Sequence, residues 1–232
     1  MAGVNPPGLP EGEGKVRAVR RLFDAIAGRY DLVNRVMTLG MDVGWRRRTV
    51  RELRLPGGAL VLDLACGTGG LCKELRHNGY RAIGFDFSHG MLAAATTEVP
   101  LVRADILRLP MPDASADGAT CGFALRNVTD LPTLFDEVAR VVRPGGRVAL
   151  LETSEPDNRV MRAGHTAYFH RVVPLIGGVL SVREAYLYLP RSTAYLPSPS
   201  RMVAMLREAG FPDAERLQLS GGVAQLLLGT RG

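Results

Sequence analysis

The chain has 232 residues, of which 46% are hydrophobic, so one domain with a sizeable core is expected and disorder is not the default. Its net charge is +6, and the basic excess lies in residues 1–54 and 156–232. Few aromatic residues accompany these basic ones, which argues against nucleic acid as a partner and favours an arginine-rich, solvent-facing surface. An anionic membrane surface stays open as a partner.

The cysteines and the apolar stretches exclude several further classes of protein. Cys66, Cys72 and Cys121 have neither metal-ligand spacing nor a pairing pattern, so we expect buried free thiols in a reducing compartment and no metal site. The start of the chain lacks the apolar core of a signal peptide. The longest apolar stretch, 172–182, is too short and too interrupted to span a bilayer. The expected location is therefore the cytoplasm.

Three helices are predicted before the first strand. Residues 1–15 are rich in proline and glycine and are expected to form a disordered tail. From residue 16 to 30 the apolar side chains are spaced by three and four positions, which predicts an amphipathic helix. Short helices at 31–39 and 42–53 would complete a helical lid over residues 16–55.

From residue 60 onward, predicted strands and helices alternate. The strands are at 60–65, 81–86, 100–103, 117–123 and 147–153, and helices at 70–78, 90–97 and 131–142 lie between them. The composition of 143–146 predicts a turn. This alternation is typical of a doubly wound α/β fold with a mostly parallel sheet.

The remaining chain interrupts the alternation and then adds two strands. Residues 156–196 are expected to form a helical, apolar insertion on the substrate side of the domain. A helix at 199–209 and strands near 213–219 and 222–230 follow. The strands would complete a seven-stranded sheet with a C-terminal antiparallel hairpin, in a single domain over 16–232.

The loop after the first strand carries the strongest functional signal. Gly67, Thr68 and Gly69 follow an apolar run that contains Asp63 and Ala65, and a helix follows the loop. A strand, a glycine turn and a helix form a nucleotide-binding unit. The third small residue of a dinucleotide motif is missing, as is a phosphate-binding Gly-Lys pair at this loop. An acid four residues before Gly67 suits a cationic ligand, and S-adenosylmethionine has an ammonium, a sulfonium and no phosphate.

Two further acids follow later strands. Asp86 ends the second strand, 19 residues after Gly67, where a carboxylate can accept hydrogen bonds from both ribose hydroxyls. Asp105 follows the third strand and is placed to accept from an adenine amino group. Phe87 and Met91 flank the second strand end and are predicted to contact the same ligand. Three acids at three successive strand ends indicate one shared site.

Several segments resemble the menaquinone/ubiquinone biosynthesis C-methyltransferases, which belong to the class I S-adenosylmethionine-dependent methyltransferases. The resemblance runs from about residue 18 to 230, and the segments that carry it are 21–31, 40–47, 61–69, 86–92, 104–110, 123–130, 143–146 and 183–190. It implies S-adenosyl-L-methionine as cofactor, S-adenosyl-L-homocysteine as product, and a quinol ring, most simply that of demethylmenaquinol, as methyl acceptor. The apolar region at 168–188 would then face a prenylated substrate or the membrane surface.

The resemblance also implies roles for single residues. Thr68, Asp86, Asp105 and Ile106 match the family's cofactor contacts, and Gly122 stands where relatives have a serine. The best candidates for the reacting centre are Arg126 and Asn127, the guanidinium stabilising an oxyanion or positioning a water molecule. A structural ion pair between Arg126 and a carboxylate is the alternative reading.

Tyrosines and two departures from the family pattern bear on the acceptor. Tyr30, Tyr186 and Tyr188 are predicted to line the ring pocket, with roles in the core as the alternative. Gly70 replaces an acid common in relatives, and Thr153 replaces a large aromatic residue, which would reshape the acceptor pocket. His165 and His170 are expected to have surface or structural roles rather than to act as bases.

These departures keep other functions open. The enzyme alternative is a methyltransferase of oxygen, nitrogen or carbon, or a cyclase on the same fold, that tailors a small aromatic or polycyclic metabolite. A cofactor-binding module without activity and a nucleic-acid methyltransferase are the alternatives from other classes. Neither the oligomeric state, a homodimer included, nor the identity of the catalytic base follows from the sequence.

Overall fold

The computed structural model of the chain describes residues 12–168 and 192–232. Over these two ranges fifteen longer elements follow one another, and 3₁₀ turns connect some of them. They are α1 (Gly12–Ile26), α2 (Tyr30–Met37), α3 (Met41–Leu53), β1 (Leu60–Leu64), α4 (Gly70–His77), β2 (Arg81–Asp86), α5 (His89–Ala93), β3 (Leu101–Arg103), β4 (Ala116–Gly122), α6 (Leu131–Val141), β5 (Val142–Thr153), α7 (Arg159–Ala167), α8 (Pro199–Glu208), β6 (Glu215–Leu219) and β7 (Ala224–Thr230).

The strands form one seven-stranded sheet in the order β3-β2-β1-β4-β5-β7-β6. Strands β1 to β5 run parallel, while β7 lies antiparallel between β5 and β6. The predicted α/β class, the mostly parallel sheet and the C-terminal antiparallel pair are confirmed. Strand order reverses between β1 and β4, and in such sheets ligands bind in the crevice at the carboxyl ends of the strands.

Helices cover both faces of the sheet. On one face α6 and α8 bury an apolar cluster against β4 and β5, with Phe135 and Phe211 fully buried. On the other face α3 and α4 pack against the sheet, and Leu53 and Leu75 are fully buried there. Burial on both faces explains why β1 and β7 are nearly continuous apolar runs rather than alternating ones.

The helix α3 belongs to the sheet rather than to the predicted lid over 16–55. It packs against β5 and α4, and the Trp45 indole N–H donates to the Ser220 hydroxyl at 2.8 Å. Among the first three helices, α1 and α2 lie over the site, with α1 contacting α5 and the 3₁₀ turn Leu125–Asn127. From here on the lid means α1 and α2.

The predicted turn at 143–146 is an interruption inside a long strand. Pairing with β4 jumps from Ala116 opposite Val142 to Gly118 opposite Arg147, so the residues between bulge out. Gly145 adopts φ +78°, which favours glycine. Composition marked the interruption correctly, but the strand already begins at Val142.

Other boundaries differ by a few residues. Helix α1 begins at Gly12, inside the predicted tail, and α5 ends at Ala93, four residues before the predicted end at 97. The β-branched Thr96 and Thr97 disfavour helix, and the Thr96 hydroxyl accepts a hydrogen bond from Lys73 instead. The structure does not describe residues 1–11 and 169–191. The predictions for His170, Tyr186 and Tyr188 therefore lie outside the described residues, and so does the side chain of His165.

Within the described residues, no helix is both long enough and apolar enough to cross a membrane.

Candidate functional site

A cavity of about 420 Å³ opens at the carboxyl edge of the sheet, between the ends of β1 to β4 and the lid. Ten of the predicted site residues line it. They are Tyr30, Ala65, Gly67, Asp86, Phe87, Met91, Asp105, Ile106, Gly122 and Asn127. The strand topology thus gathers side chains that are far apart in the sequence around one cavity.

The glycine loop between β1 and α4 is shaped by two glycines in the left-handed region. Gly67 has φ +55°, and a Cβ there would lie 2.9 Å from the Met91 Cε. Gly69 has φ +83°, and a Cβ there would lie 2.6 Å from the Thr97 Cγ2. Both positions therefore require glycine, which lets the loop backbone approach a ligand closely.

Asp86, at the end of β2, is buried and held in a fixed orientation. Its Oδ2 accepts the Gly67 N–H at 2.9 Å, and its Oδ1 accepts the Ser88 N–H at 2.8 Å. Burial raises the pKa of this carboxyl, while the two backbone N–H groups oppose that effect. Since a carboxylate oxygen can accept more than one hydrogen bond, Asp86 can still accept a pair of hydroxyls from a ligand.

Asp63 faces a second, smaller cavity of about 30 Å³ that adjoins the first. Its Oδ1 accepts the Thr120 hydroxyl at 2.9 Å, and its Oδ2 accepts the Cys72 thiol at 3.3 Å. Burial raises the pKa of Asp63 from 3.8 to about 7, against a lowering by these hydrogen bonds and by Arg46. A buried carboxyl that is held by neutral donors is well suited to a cationic ligand.

The raised pKa of Asp63 predicts how stability depends on pH in the unliganded protein. The folded state binds more protons than the unfolded state between about pH 4 and pH 7, so the free energy of unfolding falls as the pH rises through that window. We expect Asp63→Asn to remove this fall, which is at most about 4 kcal/mol. Urea unfolding at pH 5 and pH 8 measures it, with the exposed Asp105→Asn as control. An undiminished fall in the Asp63 variant would contradict the assignment.

Arg126 and Glu152 form a buried ion pair behind the cavity. The guanidinium Nη1 contacts the Glu152 Oε1, and the Arg126 backbone N–H donates to Oε2 at 3.1 Å. Glu152 also accepts the Thr153 backbone N–H at 2.7 Å. The Nε of Arg126 is buried and has no hydrogen-bond partner within the described residues. The ion pair weighed as an alternative for Arg126 is therefore present, and one donor of the guanidinium remains unused.

The lid is fastened to the strand ends by polar contacts. Asp31 accepts the Thr68 hydroxyl at 2.8 Å, and Asp24 accepts the Ser88 hydroxyl and the Gly90 N–H. Arg20 donates to the Phe87 carbonyl at 3.2 Å. The Thr68 hydroxyl, predicted to contact a cofactor, is thus engaged by the lid.

Tyr30 stands where the two cavities meet. It lines both of them, and its ring packs edge-on against Phe23 with 5.9 Å between ring centroids. Burial raises the pKa of the phenol, while Asn34, Arg46 and Arg126 lower it. The side chain is therefore at once a cavity wall and part of the packing within the lid.

Gly122, at the end of β4, also lines both cavities. A Cβ at this position would lie 2.9 Å from the Leu71 Cδ1, so a side chain there would displace Leu71. The glycine leaves the backbone itself as the surface that a ligand would meet.

Some predicted residues lie elsewhere, and others were not predicted. Asp63 and Thr68 line the smaller cavity, while Gly69, Arg126 and Thr153 line neither. Arg46 in the smaller cavity was missed, as were four residues of α1 in the larger one, namely Val16, Val19, Arg20 and Phe23. The apolar stripe of α1 was visible in the sequence, but the surface that it covers was not.

Among the described side chains, no group of three or more His, Cys, Asp and Glu residues is placed to hold a metal ion. The three cysteines are buried and free.

The chain matches the model of the ubiE/COQ5 methyltransferase family over residues 11–231. It is 40% identical to the demethylmenaquinone methyltransferase of Roseiflexus castenholzii, with 98% of this chain and 99% of that one covered. It is 37% identical to the ubiquinone/menaquinone biosynthesis C-methyltransferase UbiE of Syntrophotalea carbinolica, with 91% and 93% covered.

Solved structures show the same fold at low sequence identity. A putative methyltransferase in complex with the Haloferax volcanii Trm112 activator superposes with a TM-score of 0.67 at 18% identity, covering 90% of this chain and 97% of that one. A possible histamine N-methyltransferase of Thermotoga maritima gives a TM-score of 0.64 at 18% identity, with 91% and 99% covered.

Proposed function

The chain belongs to the ubiE/COQ5 methyltransferase family, and from that premise we propose that it transfers a methyl group from S-adenosylmethionine to a ring carbon of demethylmenaquinol. The observation that carries the proposal is the near-complete coverage of relatives named for this reaction, together with Asn127 on the wall of the cavity beside the buried Arg126. S-adenosylmethionine-dependent methyl transfer is the activity of the family, and the choice of acceptor is the proposed part.

The residues around the two cavities fit this cofactor. Asp86 presents a fixed carboxylate of the kind that binds both ribose hydroxyls. Asp105, two residues after β3, lies on the same cavity wall beside Ile106, where an adenine would be held. Asp63 supplies a buried carboxyl for the ammonium group. No two of these acids come from the same strand, so the cofactor would be bound across three strand ends.

Carbon methylation requires an electron-rich ring. When bound, S-adenosylmethionine would supply an electrophilic methyl group to the ring carbon. The methylated carbon must then give up its own hydrogen as a proton, with the C–H electron pair restoring the aromatic ring and a proton returning to the oxygen. A phenolic hydroxyl with an ordinary pKa of about 10 must first lose its proton near neutral pH. A fixed guanidinium favours the resulting oxyanion. Because arginine stays protonated, we assign Arg126 to stabilising the phenolate through its charge from behind the cavity wall rather than by contact, and the phenolic proton leaves to water.

Asn127 and Tyr30 complete the proposed reacting centre. Both line the larger cavity, and the positive charge of Arg126 lowers the pKa of the Tyr30 phenol. We assign Asn127 to a hydrogen bond with the quinol oxygen and Tyr30 to the wall against which the ring lies. The proposed ring-pocket role of Thr153 is indirect, since its backbone N–H holds Glu152 against Arg126.

Peripheral contact with a membrane is the proposed route to a lipid acceptor. Leu39, in the turn between α2 and α3, is exposed, as are Met41 at the start of α3 and Leu32 on α2. The Tyr168 hydroxyl donates to the carbonyl oxygens of Val36 and Met37, so Tyr168 itself lies beside α2. Exposed apolar side chains beside basic ones are typical of surfaces that bind anionic bilayers.

Turnover of demethylmenaquinol tests the proposed acceptor. We expect purified enzyme with methyl-labelled S-adenosylmethionine to give a ring-carbon-methylated product, and to give more of it when the quinol is presented in anionic vesicles than in neutral ones. Mass spectrometry with fragmentation distinguishes carbon from oxygen methylation. A panel of polycyclic aromatic acceptors runs in parallel, because product from that panel and none from the quinol would overturn the assignment.

A further inference from the structure

The smaller cavity is lined by one positively charged and one negatively charged side chain. Arg46 from α3 and Asp63 from β1 both line it, and Arg46 lowers the pKa of Asp63, so the two charges interact. Gly67 and Tyr30 line this cavity and the larger one. The two cavities are therefore neighbouring parts of one site, and the smaller one carries both charges that a zwitterion needs.

The guanidinium of Arg46 occupies the space over the first turn of α4. A Cβ on Gly70 would lie 3.0 Å from both the Cζ and the Nη1 of Arg46, and 3.1 Å from its Nε. A carboxylate at position 70 would thus meet the guanidinium directly. The absence of a side chain at Gly70 leaves Arg46 lying against the amino-terminal end of α4, where the helix dipole also favours an anion.

Arg46 is held in this position from its own helix. Its Nη1 forms an ion pair with the Asp42 Oδ2 at 3.0 Å, and the Thr38 hydroxyl donates to the other Asp42 oxygen at 3.0 Å. The Arg46 side chain is 14% exposed and Asp42 only 2%. Because a guanidinium has five N–H donors, one ion pair leaves donors for a ligand carboxylate.

We propose that Arg46 binds the carboxylate of the methionine part of S-adenosylmethionine, with Asp63 opposite it for the ammonium group and Gly70 leaving the space in which they meet. The inference rests on the proposed cofactor site and adds to it the residue that recognises the amino-acid end.

Binding measurements with three ligands distinguish recognition of the carboxylate by Arg46 from a role in which Arg46 only supports the structure of the site. S-adenosylmethionine has both charges, decarboxylated S-adenosylmethionine lacks only the carboxylate, and 5′-methylthioadenosine lacks the whole amino-acid end. By calorimetry we expect Arg46→Gln to lower the affinity for S-adenosylmethionine by about 30-fold or more, as expected when one partner of a buried charge-assisted hydrogen bond is removed. The affinity for the other two ligands should stay within about threefold of native.

Neighbouring variants serve as controls. Arg47→Gln changes the next residue of α3, whose side chain is 60% exposed and 3.6 Å from Glu74, and should leave all three affinities within about threefold of native. Arg46→Lys keeps a positive charge without the planar set of guanidinium donors, so it should weaken the binding of S-adenosylmethionine less than Arg46→Gln does and leave the affinity for the other two ligands unchanged. Because a lysine can still pair with Asp42, this variant tests the proposal even if Arg46→Gln unfolds.

Two results would overturn the proposal. One is an unchanged affinity for S-adenosylmethionine in folded Arg46→Gln, and the other is an equal loss for all three ligands, which would make Arg46 a support of the glycine loop. No methyl acceptor is present in these measurements. A wrong acceptor would therefore appear as absent turnover with normal binding, whereas a wrong role for Arg46 appears in the binding data alone.

Discussion

An Asp86→Ala protein is expected to bind S-adenosylmethionine at least about 100-fold more weakly than the native chain, a loss of about 2.7 kcal/mol. Asp86 is the carboxylate that we assign to the ribose hydroxyls, and the same oxygens fix the backbone of the loop through Gly67 and Ser88. The substitution removes the ligand contact and leaves two buried N–H donors unpaired. Isothermal titration calorimetry with S-adenosylhomocysteine as a second ligand measures the loss.

Asp105→Ala is the matched comparison for that loss. Asp105 follows the neighbouring strand β3 on the same cavity wall, but it is exposed, and its carboxylate accepts a backbone N–H from Leu107 at 2.9 Å. Its replacement should cost less than about tenfold in affinity, because solvent screens an exposed contact. Thermal unfolding of both variants shows whether the loop has collapsed. Native affinity in a folded Asp86→Ala protein would remove Asp86 from the ribose site.

Removing the Arg126 guanidinium is expected to slow methyl transfer by about 1,000-fold while the affinity for S-adenosylmethionine changes by less than about threefold. Arg126→Ala alone would leave Glu152 charged and unpaired in the core, which costs roughly 3 to 5 kcal/mol of stability. We therefore pair Arg126→Met with Glu152→Gln, which removes both charges and nearly keeps the volume. Single-turnover kinetics with saturating cofactor isolates the chemical step.

Glu152→Gln alone separates the two roles of the pair. It keeps the guanidinium and changes only its partner, so we expect turnover to fall far less than in the double variant. If Arg126 served only to satisfy Glu152, the double variant would be folded and nearly as active as the native enzyme. Turnover within threefold of native in that variant would make Arg126 structural.

The acids of the site were predictable because strand topology decides where they meet. Asp86 ends β2 and Asp105 follows β3, and the carboxyl ends of such parallel strands share one edge of the sheet. Asp63 was predictable for the same reason, although its raised pKa depends on burial that spacing does not reveal. The resemblance to a family added Asn127, which lines the larger cavity.

Contacts between distant segments could not be predicted from local patterns. Arg46 and Gly70 are 24 positions apart, and only the packing of α3 beside α4 brings them together. The sequence likewise could not show that α3 leaves the lid to cover the sheet, because an amphipathic helix has the same pattern over either surface. The partner of Arg126 was foreseen as a type of group, a carboxylate, but not as Glu152.

The place of β7 has a consequence for how the chain folds during synthesis. This strand is synthesised after the other six strands of the sheet, yet it lies inside the sheet between β5 and β6. It also contacts α3, which covers that face of the sheet. Until residues 224–230 emerge, the edge of β5 that pairs with β7 stays unpaired. The hydrogen bond from the Trp45 indole likewise cannot form until Ser220, 175 positions later, has been synthesised. Such long-range closure slows folding. Loss of those seven residues would therefore unravel far more of the protein than their number suggests.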